Sequence, residues 1–293
     1  MEKFSNWRDK GTGISPFMPV PVPRSSSSMA SLVFLLRLPV VILTGLLYVV
    51  FPIQIVAKFI TLVLLGFNRY DLSVEGVRRS KLDEIDRSRP SVGDFVVTNY
   101  TSPLDGFFLA GLSNTFWYKI VLLVPDEKGE LYEYSIWSFF WLTLSRDIGV
   151  SRSNIKADYS KYTNKLVFLF AEGTPSNNKA LLSFVPNIPP VPAKLRFKFK
   201  TIALRIFPPY LTTPIPVVSP FSYLYQVISH YDHNSYIRAK IINHDRSLYG
   251  DRYNIDEASA SFELAQLNVI SKDLDIQEKR KFYSYFVDYQ VSK

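Results

Sequence analysis

Leu166-Val167-Phe168-Leu169-Phe170-Ala171-Glu172-Gly173-Thr174-Pro175 is apolar for six residues and then turns abruptly polar. An apolar run this short, without alternation, is what a central strand covered on both faces requires. A second run, Asp94 to Thr98, carries the apolar core Phe95-Val96-Val97 and leads into Asn99-Tyr100-Thr101-Ser102-Pro103-Leu104-Asp105. In open α/β folds ligands sit off the carboxyl ends of strands, so these two polar clusters are where chemistry is to be sought. Moving outward, further strands are predicted over Ile120 to Val124, Thr201 to Phe207 and Tyr236 to Ile242. Helices are predicted over Ser135 to Arg146, Ile155 to Lys165 and Asp273 to Gln290. Such alternation predicts an α/β sheet with helices on its faces.

Upstream the chain changes character. Residues 29–67 are overwhelmingly apolar, and Leu38 to Ala57 runs for twenty residues without a charge. As helix that stretch is ~30 Å long, the thickness of a bilayer core. A long tail precedes it, which disfavours a secretory signal and predicts a segment retained in the mature protein. Pro52 and the total length make a kinked helix or a helical hairpin at least as plausible as one straight crossing. Basic flanks on both sides (Arg24, then Arg69, Arg78, Arg79 and Lys81) place both ends on the cytosolic side and favour the hairpin. A buried core helix is the competing reading. Residues 1–28, with four prolines and Ser25 to Ser28, show no amphipathic period and read as a flexible tail. The expected organisation is a tail over 1–28, a membrane-embedded segment over 29–67 and one catalytic domain over 68–293.

The 293 residues, 47% hydrophobic, suffice for one substantial domain and not for a second. Zero cysteines exclude a thiol nucleophile, a thiolate metal site and a disulfide framework. The three histidines, His230, His233 and His244, lie late in the chain and read as solvated, so no metal is expected. The net charge of +8 suits anionic lipid, a phosphorylated substrate or nucleic acid. Lys194, Arg196, Lys198 and Lys200 alternate with Leu195, Phe197 and Phe199, the pattern of a strand with one cationic face that suits an anionic bilayer or an ordinary sheet. No nucleic-acid motif accompanies them, and membrane contact ranks above nucleic acid.

Each polar cluster has a plain reading beside a functional one. Ser102, Pro103 and Asp105 fit a helix start, with Ser102 as N-cap, Pro103 at the first position and Asp105 bonding back. Gly173 permits a tight strand-exit turn whose N–H groups form an anion nest, and Glu172 can accept from hydroxyls.

Taken together behind an apolar segment, the clusters resemble the motifs of the glycerolipid (lysophosphatidic acid) acyltransferase family over roughly residues 70–225. Asn99, Ser102 and Asp105 match its first motif, with Tyr100 at the histidine position. Glu172-Gly173-Thr174 matches another, while Gly149-Val150-Ser151-Arg152 and Pro214-Ile215-Pro216-Val217-Val218 are looser matches. The fungal lysophosphatidic acid:oleoyl-CoA acyltransferase group is similar also at Asn6-Trp7-Arg8-Asp9 and Gly11-Thr12-Gly13-Ile14. The resemblance implies a glycerol-3-phosphate acyltransferase-like mixed sheet flanked by helices. It implies transfer of a fatty acyl group from acyl-CoA, a co-substrate, to the free hydroxyl of a lysophospholipid, with no cofactor. It implies an endoplasmic reticulum or lipid-droplet membrane, with the catalytic domain facing the cytosol.

By the same resemblance Asp105 and Tyr100 are the catalytic candidates, and Ser102, Arg152, Glu172, Gly173 and Thr174 bind substrate. In many relatives an arginine follows Glu-Gly-Thr, where Pro175 stands here. A tyrosine with reference pKa ~10 is a poor general base. Asp105 directly or through a water, a distant histidine, or the substrate phosphate are the open routes for the proton. A catalytically inactive, lipid-binding scaffold is the alternative.

Overall fold

The computed structural model describes residues 3–22, 27–51, 56, 59–60, 65–67, 69–150, 153, 155–192, 194–216, 219–230, 234–244 and 255–291. Seven strands form one mixed sheet: β1 (Arg69–Val74), β2 (Asp94–Thr98), β3 (Ile120–Pro125), β4 (Leu131–Tyr134), β5 (Leu166–Phe170), β6 (Lys198–Phe207) and β7 (Tyr236–Asn243). Their order is β1-β7-β6-β2-β5-β3-β4. The central strands β6, β2, β5 and β3 run parallel, with Val96 opposite Phe168 and Phe168 opposite Leu122. The β3–β4 and β6–β7 pairs are antiparallel.

Side chains alternate across the sheet, as the two-residue period of a strand demands. Val96, Leu122, Phe168 and Ile202 face one core, capped by α3 (Asp105–Leu112), α4 (Ile136–Thr143) and α5 (Pro220–Ile228). Phe95, Val97, Val121, Val167 and Leu169 face the other, covered by α6 (Ile255–Glu263) through Ala258 and Phe262. A short helix, α2 (Leu82–Arg87), links β1 to β2, and α7 (Ile276–Val291) closes the chain.

The predicted mixed α/β sheet is therefore present, with several local corrections. Residues 155–165 are not helical beyond a 3-10 turn at Tyr159–Tyr162. Their backbone extends the sheet edge instead: Glu133 N–H donates to Ile155 O and Ala157 N–H to Leu131 O. The residues before β6 form loop rather than strand, and Lys200 is not on a bilayer-facing surface. It is buried and paired with Asp94 at 2.7 Å, because the central position of β6 leaves no solvent on either face there.

Residues 3–22, read from sequence as a flexible tail, are packed on the domain. Phe17 is fully buried with Phe282 and Phe286 of α7, and Phe4 and Trp7 close over the same cluster. Asp9 holds the entry turn by accepting from Thr12 N–H, Thr12 Oγ1 and Ser271 N–H. Aromatic contact area at a few positions supplies what a periodicity search over a proline-rich stretch does not detect.

Helix α1 (Ser27–Val50) begins two residues before the expected apolar segment and runs through its first half, and its stretch Ser28–Val50 is long and apolar enough to cross a membrane, with none of its hydrophobic window buried. Its base docks on α5, where Phe34 meets Tyr225 at 4.9 Å and Ser31 Oγ lies 3.0 Å from Tyr225 Oη. Arg37, the one charge in this helix, donates to the carbonyls of Ile228 and His230. Those carbonyls belong to the negative end of α5, so the cation has acceptors without leaving the apolar helix. The second arm of the expected hairpin, at 52–55, 57–58 and 61–64, lies outside the described residues.

Candidate active site

Strands β2 and β5 are neighbours in parallel register, so the clusters that follow them emerge side by side at one sheet end. Helix α3 begins at Asp105, two residues later than the predicted first helical position at Pro103. The reciprocal cap bonding is nonetheless present: Leu104 N–H donates to Ser102 Oγ, and Ser102 N–H donates back to Asp105. Asp105 is completely buried and accepts from four donors. Oδ2 receives Thr101 N–H at 2.6 Å and Ser102 N–H at 2.9 Å, while Oδ1 receives Ser102 Oγ at 2.9 Å and Thr101 Oγ1 at 3.0 Å. Burial outweighs these bonds and pushes its carboxyl up to about 6. The carboxylate thus orients the Thr101–Ser102 backbone, and no hydrogen bond joins it to the Tyr100 hydroxyl.

Tyr100 is buried between Phe139 and Phe170, at ring distances of 4.8 and 5.1 Å. Its hydroxyl lies 2.6 Å from Thr143 Oγ1, which donates its own proton to Phe139 O at 2.9 Å. With that single donor committed, the phenol donates to Thr143. Burial raises the phenol far above its ordinary value and keeps it protonated.

Glu172 joins the two clusters. Its Oε1 accepts Tyr100 N–H at 2.6 Å and its Oε2 accepts Leu182 N–H at 2.7 Å. Burial pushes this carboxyl up to about 8, opposed by the two backbone donors and by the charge of Lys279. Gly173 turns the chain at φ +67, and a Cβ there would stand 2.9 Å from both Ile276 and Val185. Only glycine combines that left-handed conformation with so close an approach. Thr174 Oγ1 accepts from Lys279 Nζ of α7 at 2.7 Å.

The structure therefore brings Tyr100, Ser102, Asp105, Glu172, Gly173 and Thr174 together. A cavity of about 30 Å³, room for a water-sized group, is lined by Tyr100, Thr143, Gly149, Gly173, Thr174 and Lys279. Asp105 and Glu172 are not among the residues lining it. A larger cavity of about 1090 Å³ is lined by Glu172, Leu182, Phe184 and Val185 and shares Thr174 with the smaller one. Arg152 lies outside the described residues. Among those described, no group of three or more metal-ligating side chains occurs.

Sequence reasoning did not single out Asn99 for the job it does here. Its side chain pairs with the backbone of Leu204, donating to the carbonyl at 2.8 Å and accepting the N–H at 2.7 Å, which fixes the loop against β6. His230, expected in a solvated loop, is buried and bonded to Tyr210 and Ser235. The larger omission is Lys279. Its signal was a lysine at the i+3 position of the stripe Ile276, Phe282 and Phe286, where an apolar residue belongs.

No family model matches the chain. Among curated proteins it is 28% identical to the lysophosphatidic acid:oleoyl-CoA acyltransferase 1 of Saccharomyces cerevisiae, over all of this chain and 99% of that protein. This full-length likeness supports a place in the lysophosphatidic acid acyltransferase family. A second relative in the family, the putative lysophosphatidic acid:oleoyl-CoA acyltransferase of Schizosaccharomyces pombe, is also 28% identical, over 76% of this chain and 79% of that one. Among solved structures, the 1-acyl-sn-glycerophosphate (LPA) acyltransferase PlsC from Thermotoga maritima aligns over 82% of this chain and 94% of its own length, with 17% identity and a TM-score of 0.39.

Proposed function

We propose that the chain is an acyl-CoA-dependent 1-acylglycerol-3-phosphate O-acyltransferase, moving a fatty acyl group from acyl-CoA to the free hydroxyl of lysophosphatidic acid to give phosphatidic acid. The observation that carries this reading is the full-length likeness to the named yeast acyltransferase, on a fold whose Tyr100–Glu172 hydrogen bond draws both polar clusters to one cavity. The thioester donor arrives already activated, so the reaction calls for positioning and a proton acceptor rather than a cofactor. Residues lining the cavity next to Tyr100 leave room for one hydroxyl-sized group, which suits the acceptor alcohol.

The reading includes attachment to a membrane through α1. Its apolar length matches a bilayer core, and the helices beside it present exposed Trp137, Trp141 and Phe221. The two tryptophans favour the headgroup level, and the phenyl ring adds apolar surface beside them. Helix α5, which carries Phe221, is the one on which α1 docks, and α4 joins it through Phe140 and Tyr223 at 6.2 Å.

The test is an acylation assay on membranes containing the full chain, with lysophosphatidic acid and labelled oleoyl-CoA, beside Asp105→Asn and Glu172→Gln. Labelled phosphatidic acid from the wild type, reduced in both variants, is the expected result. A folded wild type that forms none overturns the reading and leaves an inactive, lipid-binding relative.

A further inference from the structure

Lys279 is the one charged side chain of α7 that the described structure takes fully inside, at 1% exposure. Helix α7 starts from an Asp275 cap, which accepts Glu278 N–H at 2.9 Å, and lies across the site like a strap. Arg280, the next residue, fastens it outside by donating to Ile148 O at 2.7 Å and pairing with Glu127. Lys279 points the other way. Its Nζ donates to Thr174 Oγ1 at 2.7 Å and to Pro175 O at 2.5 Å.

Both partners are neutral oxygens, and among the described residues no carboxylate forms an ion pair with Nζ. A neutral amine has two N–H donors and one lone pair. The two donors are matched by the two acceptors, and the lone pair is left for the cavity that Lys279 lines. The other titratable groups of the site are committed elsewhere. Asp105 and Glu172 spend their oxygens on backbone and hydroxyl donors and do not line the cavity. The Tyr100 hydroxyl donates to Thr143. Asp126 accepts Lys128 and Glu130 N–H in its own turn, and Asp147 is exposed at the rim.

We propose that Lys279 is the proton acceptor of the acyl transfer, the group that serves where Tyr100 stands in place of a histidine. The proposal rests on the acyltransferase reading above. The Nζ lone pair takes the proton of the lysophospholipid hydroxyl as its oxygen bonds to the thioester carbonyl carbon. The carbon–sulfur bond then breaks, and the departing CoA sulfur takes the proton back from the Lys279 ammonium, restoring the amine. Burial acts in the required direction by holding the ammonium well below its ordinary range, while the charge of Glu172 opposes it. The charged and titratable groups around Lys279 are Glu172 and Tyr100, Asp126 and Tyr134 at the β3 and β4 ends, Asp147 beyond α4, and Asp275, Glu278 and Arg280 beside it in sequence; Phe17 covers it with a ring 6.0 Å away.

The experiment compares full-length wild type with Lys279→Met, Lys279→Arg and Lys279→Ala in detergent micelles, measuring kcat and KM from pH 6 to 9. The expected result is a fall in kcat of ~10²–10⁴-fold in all three, the range general-base catalysis supplies, with KM for both substrates little changed. Added methylamine or ethylamine restores part of the Lys279→Ala rate, more strongly for the more basic amine. A kcat for Lys279→Arg close to wild type, or a loss confined to KM for the phosphate-bearing lysolipid, overturns the proposal; the latter makes Lys279 an anion holder. An inactive wild type overturns the acyltransferase reading itself and the proposal with it, whereas an active wild type with unimpaired variants overturns the proposal alone. Should the variants fail to fold, the wild-type pH profile decides. A rise in kcat with a midpoint well below ~10.4 that persists in Asp105→Asn supports Lys279, and its disappearance in that variant overturns it.

Discussion

Replacing Asp105 by Asn preserves the shape of the side chain and removes its charge. The amide oxygen can keep the place of Oδ2, accepting Thr101 and Ser102 N–H, while the NH2 turns toward the two hydroxyls, which rotate to accept. What changes is the electrostatics. Desolvation pushes the wild-type carboxyl from 3.8 up to about 6 despite four hydrogen bonds. An acid whose pKa is raised by folding stabilises the fold below its unfolded value and loses that contribution as pH rises through its folded value. At about 1.4 kcal/mol per tenfold in proton affinity, the displacement amounts to about 3 kcal/mol. About 0.5 kcal/mol of this is already gone at pH 4, just above the unfolded value, so between pH 4 and pH 7 wild type loses about 2.5 kcal/mol that Asp105→Asn does not lose. Glu172, pushed up to about 8, titrates in both proteins and largely cancels in their difference, the charge of Asp105 being the least of the influences on it. Urea unfolding of the full chain in a mild detergent, at pH 4, 5, 6 and 7, measures this directly. The variant should gain on wild type by about 2.5 kcal/mol across the series. A difference constant to about 0.5 kcal/mol, or one moving in favour of wild type, refutes the claim that burial outweighs hydrogen bonding at this carboxylate.

Three further outcomes follow from the same geometry. Gly173→Ala must hold φ +67 with a Cβ 2.9 Å from Ile276 and Val185 and 3.0 Å from Pro125 O, so unfolding should show a loss of about 2 kcal/mol or more, with acyl transfer falling as well. Tyr100→Phe removes the 2.6 Å bond to Thr143 and should cost about 1 kcal/mol by thermal unfolding while leaving kcat within about threefold of wild type, because a phenol held protonated accepts no proton; a hundredfold loss of kcat would assign the hydroxyl a direct part. Phe17→Ala empties a fully buried site against Phe282 and should cost about 3–5 kcal/mol in urea unfolding, whereas a freely moving tail would register no change.

The sequence by itself determined the elements whose signal is local. Continuous apolar runs marked β2 and β5, because a strand covered on both faces has no polar positions to alternate with. The polar clusters after them were legible for the same reason, and so was the length of the apolar segment that holds α1. Elements whose signal depends on a partner were not legible. Strand β1 is half-polar and partly exposed at the sheet edge, and residues 155–157 follow the edge of β4 although their composition suits a helix. The same holds for the site. Asp105 and Glu172 stood out as residue types, but that their oxygens are taken up by Thr101, Ser102, Tyr100 and Leu182 is a matter of which backbone N–H groups the turns present. Lys279 lies more than a hundred residues beyond Thr174, and only the docking of α7 on the sheet end brings its amine to the cavity. The residue type was visible in the chain, whereas its burial, its two neutral acceptors and the lone pair they leave are properties of the packing, since desolvation acts through neighbours distant in sequence.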